Sequence, residues 1–176
     1  MHIFFGDERC VPADDPASNY KMASEAFLNS VPVLKENVHR IRAEEKPEQA
    51  AREYADLLIR SLGAAPVLDL VLLGMGADGH TASLFPGEDP NVDSASLVRA
   101  VYVAKLQTHR ITMTPQAINA ARRVVIAVEG LPKAPALYAV MRGPHDPVLH
   151  PVQIVSPRNG ELTWLVDAAA GSELSN

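Results

Sequence analysis

Cysteine occurs once, at Cys10, which excludes an internal disulfide and fits a reducing compartment. A lone cysteine of this kind reads as a small apolar residue rather than a nucleophile. Aromatic residues make up only 5% of the chain, and the single tryptophan, Trp164, is expected in the core. Positive charge is not in surplus. The net charge is −5 at pH 7, which gives no electrostatic footprint for nucleic acid or an anionic membrane. An anionic substrate would therefore need a few local cations rather than a general field. No apolar run reaches the roughly 18 residues of a membrane span, and the opening lacks a secretory leader, so a cytoplasmic location is expected. There is no internal repeat and no linker, so residues 1–176 are expected to form a single domain.

What the sequence does have is concentrated in one stretch. Residues 68–73 are a nearly unbroken apolar run of strand length, as a strand covered on both faces requires. The run stops at Gly74, Gly76 and Gly79, with Asp78 and His80 between and after them and the hydroxyls of Thr81 and Ser83 following. In open α/β sheets, ligands bind beyond the carboxyl ends of the strands, so this segment sets an acid and an imidazole where a site would lie. Gly-x-Gly-x-x-Gly is formally present from Gly74 to Gly79, but a dinucleotide reading is disfavoured. Such a motif belongs in the first strand–helix unit, and here Phe85-Pro86 interrupts the long helix that should follow. No second His or Cys stands near Asp78 and His80 at ligand spacing, so no metal is expected.

Around this stretch the pattern alternates. Residues 2–5 read as a buried strand and Gly6-Asp-Glu-Arg9 as a charged loop at its carboxyl end. Ser18 is placed to cap a helix over 19–29, and residues 38–41 suggest a short strand. The clearest helix runs from Pro47 to a stop at Gly63, with Ala50, Ala51, Tyr54, Leu57, Leu58 and Leu62 on one stripe. It leads into the 68–73 strand, giving a strand–helix–strand crossover. Residues 88–96 read as a polar loop, 100–104 and 110–114 as strands, and 115–121 as a short helix. A second apolar strand over 124–128 leads into a helix opened by Leu131-Pro-Lys133, where a lysine beside free backbone N–H groups makes a ready anion site. Residues 154–155 and 162–166 complete the sheet, and 168–176 form a tail. The class is α/β with a mainly parallel sheet.

Several segments resemble one family. They are Phe5-Gly-Asp-Glu-Arg9, Ser18-Asn-Tyr20, Gly74-Met-Gly-Ala-Asp-Gly-His-Thr-Ala-Ser-Leu-Phe-Pro-Gly87, Arg110-Ile-Thr-Met-Thr114, Lys133-Ala134 and Leu162-Thr-Trp-Leu165. In this order they are similar to the 6-phosphogluconolactonases of the wider sugar-phosphate isomerase and lactonase superfamily. The sister isomerases continue Asp-Gly-His with Ile-Ala-Phe-Asn-Glu-Pro, whereas this chain has Thr81-Ala-Ser-Leu-Phe-Pro86, which favours the lactonases.

The resemblance implies a Rossmann-like three-layer sandwich that hydrolyses 6-phospho-glucono-1,5-lactone to 6-phosphogluconate in the oxidative pentose phosphate route, without a cofactor. It implies His80 as the general base toward water, Asp78 as the group orienting it, and Arg9 as the stabiliser of the carbonyl oxygen. It implies Lys133 and Arg110 on the substrate phosphate, and Asp7 and Glu8 holding either Arg9 or sugar hydroxyls. Gly76, Gly79 and Thr81 are implied as substrate-binding, with the glycine-loop N–H groups beside Arg9 at the carbonyl oxygen. Family members also carry a Ser-Gly-Gly-Ser-Thr-Pro-type phosphate loop ahead of the Gly-Asp-Glu-Arg segment, and this chain has no Gly-Gly pair. The first quarter to third of the family pattern is therefore expected to be missing. With it go weak turnover by this chain alone, an uncovered sheet edge and self-association. The competing readings are an amino-sugar-6-phosphate isomerase or deaminase, and a non-catalytic sugar-phosphate-binding module.

Overall fold

The computed structural model describes residues 1–89 and 95–174, so parts of the expected loop 88–96 and tail 168–176 lie outside the described residues. The chain opens with β1 (Ile3–Phe4) and β2 (Asp7–Arg9), followed by α1 (Asn19–Ala26), β3 (Val38–His39) and α2 (Pro47–Leu62). Next come β4 (Val71–Gly74), a hairpin of β5 (Val98–Val103) and β6 (Thr108–Met113), and α3 (Pro115–Ile118). The chain ends with β7 (Arg123–Val128), α4 (Ala134–Arg142) and β8 (Glu161–Val166).

The strands pair in three groups. β1 pairs with β3 and β4-β7-β8 form a three-stranded sheet, all in parallel, while β2-β6-β5 is antiparallel. The α/β class with mainly parallel pairing is as the sequence suggests. β7 is the central strand of its sheet, and its Val124, Ile126 and Val128 are fully buried. β4 differs from the expectation of a strand covered on both faces. It begins at Val71 and, among the described residues, pairs on one side only. Its exposure alternates, with Val71 and Leu73 buried and Leu72 72% exposed. Apolar composition did not distinguish the two positions, because what packs over each face of the sheet decides which is covered, and the central β7 alternates likewise with Ala127 exposed.

α2 forms for the anticipated reasons. Pro47 opens it with a preset φ, Gly63 closes it at φ 93°, and Ala50, Ala51, Tyr54 and Leu58 are buried. The helix packs on β5 and β6. Its Tyr54 hydroxyl receives the Phe5 N–H at 2.7 Å and reaches the His39 carbonyl at 3.0 Å, so a single buried side chain ties β1 and β3 to the helix. Ser18 caps α1 through the Lys21 N–H, as its position predicts.

Two further readings are corrected. Asp7–Arg9 is a strand rather than a loop, because β6 supplies ladder partners in the register Asp7↔Thr112, Glu8↔Ile111 and Arg9↔Arg110. The segment around residue 154 is a short 3-10 turn, Pro151–Ile154, and joins no sheet. No helix among the described residues is long and apolar enough to cross a membrane.

Candidate active site

The glycine loop after β4 folds back on itself. Gly76 N–H donates to the His80 carbonyl (2.8 Å), Gly79 N–H donates to the Gly76 carbonyl (3.0 Å), and the Thr81 hydroxyl donates to the Gly74 carbonyl (2.8 Å). These bonds close the turn that presents His80. Its Nδ1 lies 2.6 Å from Asp78 Oδ1, and its backbone N–H donates to the same oxygen at 3.2 Å. The Phe85 ring packs beside the imidazole with centroids 4.7 Å apart. Burial raises the Asp78 carboxyl, but the hydrogen bonds and charge of His80 outweigh it and hold Asp78 below the ordinary carboxylate range. An ionised carboxylate only accepts, so the proton of neutral His80 sits on Nδ1 and Nε2 carries the free lone pair. The arrangement gives His80 a fixed tautomer.

Gly76 is required by space. A Cβ there would lie 2.1 Å from His80 Nδ1 and 2.7 Å from Asp78 Oδ1. Gly79 is required by conformation, with φ 82°, and a Cβ there would also crowd the His150 ring at 3.0 Å.

Facing the loop is a cleft of about 430 Å³ lined by Asp7, Arg9, Gly76, His80, Arg110 and Lys133, together with Asn19 and Leu72. Arg9 and Arg110 are cross-strand partners on β2 and β6. Like charges directly opposite one another are destabilising unless an anion lies between them. Each arginine has a buried Nε without a hydrogen-bond partner. Burial, and then the charge of Arg9, lowers the Arg110 guanidinium below its usual value. A half-buried cation pair with unspent N–H donors has the chemistry to take a phosphate or a developing oxyanion. Asp7 stands beside it, receiving Ser83 Oγ at 2.7 Å and Asn19 Nδ2 at 3.1 Å. Burial raises its carboxyl above the ordinary value, against the lowering effects of Ser83, Arg9 and Arg110.

Six of the ten candidate residues thus meet on the cleft, with Asp78 behind His80. Glu8, Gly79 and Thr81 do not line it, and their contacts are internal. Glu8 is 3% exposed. Its carboxylate accepts from the backbone N–H of Arg9, Asn19 and Tyr20 and from Ser18 Oγ, at 2.7–3.0 Å. A carboxylate set against the first turn of a helix satisfies orphan donors and the helix dipole, so Glu8 holds α1 on β2 rather than reaching for sugar. The sequence reading missed Asn19 and Asp167. Asn19 is legible only as part of Ser18-Asn-Tyr20, whereas Asp167, whose carboxylate receives Gly130 N–H at 3.1 Å beside the Lys133 turn, carries no sequence signal. The half-buried Cys10 thiol is pushed up to about 11, mainly by burial, which fits no nucleophilic role. Among the described residues no group of three His, Cys, Asp or Glu side chains could hold a metal ion.

An imidazole of fixed tautomer faces an arginine pair across an α/β cleft, a setting with the charge to take an anionic small molecule. The chain belongs to the family of glucosamine-6-phosphate isomerases and 6-phosphogluconolactonase, which matches residues 1–164. Within that family it is 42% identical to the 6-phosphogluconolactonase of Nostoc sp., over 99% of this chain and 74% of the relative. It is 40% identical to the 6-phosphogluconolactonase of Synechocystis sp., over 99% and 73%. Among solved structures, the devB protein superposes with a TM-score of 0.92 at 32% identity, covering 98% of this chain and 74% of that one. The 6-phosphogluconolactonase of Trypanosoma brucei superposes at 0.79 and 27%, covering 97% and 73%.

Proposed function

We propose that residues 1–176 act as one sugar-phosphate lactonase domain that hydrolyses 6-phosphogluconolactone to 6-phosphogluconate. The observation that carries this is the Asp78–His80 pair, with Nε2 free at a cleft whose other wall is Arg9 and Arg110. Water attacks the lactone carbonyl carbon and gives its proton to His80 Nε2. Negative charge builds on the carbonyl oxygen and is met by Arg9. The tetrahedral species collapses, the bond from carbonyl carbon to ring oxygen breaks, and protonated His80 returns its proton to that oxygen. The new carboxylic acid then ionises, so one lactone and one water yield the carboxylate and a proton. Arg110 and Lys133 hold the substrate phosphate, and Asp7 accepts from a sugar hydroxyl. Gly76 gives room to the imidazole, while Glu8, Gly79 and Thr81 shape the site from behind. Asp78 stays ionised throughout and keeps the proton of Nδ1 in place.

The test is the initial rate of 6-phosphogluconolactone hydrolysis by this chain against a buffer blank, because the lactone also opens spontaneously. A rate above the blank supports the reading. Ammonia release from glucosamine 6-phosphate without lactone hydrolysis would replace it with the isomerase reading. Binding of 6-phosphogluconate without turnover would favour a binding module.

A cytoplasmic setting fits the single free cysteine. A second copy of the chain is the partner proposed for the edge of β4 that is unpaired among the described residues. That edge offers unpaired backbone groups, with Leu72 72% and Leu70 51% exposed nearby. Sedimentation is expected to show concentration-dependent dimers that Leu72→Lys reduces. Monomer at every concentration would refute this pairing.

A further inference from the structure

Ser83 is fully buried and belongs to neither the base nor the cation pair, yet from the His80 loop it bonds to both strands of the opposite wall. Its Oγ donates to Asp7 Oδ2 on β2 at 2.7 Å, across 76 residues of sequence. Its backbone N–H donates to Thr112 Oγ1 on β6 at 3.2 Å, and that buried hydroxyl in turn donates to the Met113 carbonyl. Thr112 pairs with Asp7 in the β2–β6 register, two pairs along from Arg9 and Arg110 and therefore on the same face of the ladder. Ser83 reaches both because the turn from Thr81 to Leu84 is closed by a 3.0 Å backbone hydrogen bond with Ala82 at φ 47°. The left-handed region is disfavoured for any residue with a Cβ, so the turn is held by its surroundings rather than by local preference.

We propose that Ser83 is a positioning residue: it latches the loop carrying His80 onto β2 and β6, and so fixes the imidazole relative to Asp7 and the Arg9–Arg110 pair. Without the hydroxyl, the Ser83 N–H bond to Thr112 is what ties the loop to these strands among the described hydrogen bonds, and Asp7 loses its shortest donor. The carboxylate would then keep Asn19 as its side-chain donor. The charged groups facing it are Arg110 from β6 and Arg9 from its own strand, with Lys133 on the same cleft, and Glu8 acts on it by charge from the opposite face of β2. The Ser83 bond favours the ionised form of Asp7, so its removal moves Asp7 titration to higher pH, and an ionised Asp7 is reached later as pH rises.

The test compares the full chain with Ser83→Ala, Asp7→Asn and the double variant. Carboxyl NMR titration of Asp7 needs no turnover, and therefore stands apart from the lactonase reading on which the kinetic arm rests. The expected result is an upward shift of the Asp7 midpoint in Ser83→Ala. With it come a fall of about tenfold in kcat/KM for the lactone and an acid limb moved to higher pH. In the Asp7→Asn background, Ser83→Ala should then add little, since the bond it removes no longer has a charged acceptor. An unmoved Asp7 titration, or equal losses with and without the Asp7 carboxylate, would overturn the proposal.

Discussion

His80→Ala is expected to lower kcat/KM for 6-phosphogluconolactone by about 10²–10⁴-fold, the usual contribution of a positioned general base. The variant should still bind 6-phosphogluconate, because Arg9, Arg110 and Lys133 remain on the cleft. This separation of chemistry from grip distinguishes a base from a residue that merely fills space. Asp78→Asn is the sharper companion. An amide can donate to Nδ1, which moves the imidazole proton to Nε2 and removes the lone pair that water needs. A loss of roughly 10²-fold or more is expected although nothing is displaced. Unchanged hydrolysis by His80→Ala, measured above the spontaneous rate, would remove His80 from the mechanism.

Gly76→Ala should be nearly as damaging, although it adds only a methyl group. The new Cβ would stand 2.1 Å from His80 Nδ1 and 2.2 Å from Cε1, distances that no packing relaxes without moving the ring. The imidazole has to leave Asp78, and the hydrogen bond that fixes its tautomer goes with it. We expect kcat to fall toward the His80→Ala level, and the low-field Nδ1 proton resonance of His80 to shift or vanish. Gly74 offers the contrast within one loop. A Cβ there would meet only the Ala127 carbonyl oxygen at 3.9 Å, so alanine should leave the His80–Asp78 pair in place. Wild-type kinetics in Gly76→Ala would mean that the loop has another resting geometry.

Glu8 and Leu72 show where a sequence pattern stops being informative. Three adjacent charged residues after an apolar run suggest a site, and Asp7 and Arg9 do line the cleft. Between them Glu8 points the other way, as side chains alternate along a strand, and meets the start of α1. Treating the segment as a loop hid that alternation. Leu72 sits in a run that reads as covered on both sides, but its exposure depends on what packs over its face of the sheet, and no local pattern carries that information.

The sequence by itself determined the short-range geometry. Two residues of separation in a glycine loop set Asp78 against His80, Ser18 caps α1, and Pro47 and Gly63 bound α2, because each depends on dihedrals and spacings within a few residues. Only the tertiary structure decided that Arg9 lies opposite Arg110, that Ser83 holds Asp7 across 76 residues, and that Glu8 is buried while Leu72 is not. These follow from strand register, sheet order and what packs over each face, which the chain settles by closing long loops and sharing one core, so no window of neighbouring residues contains them.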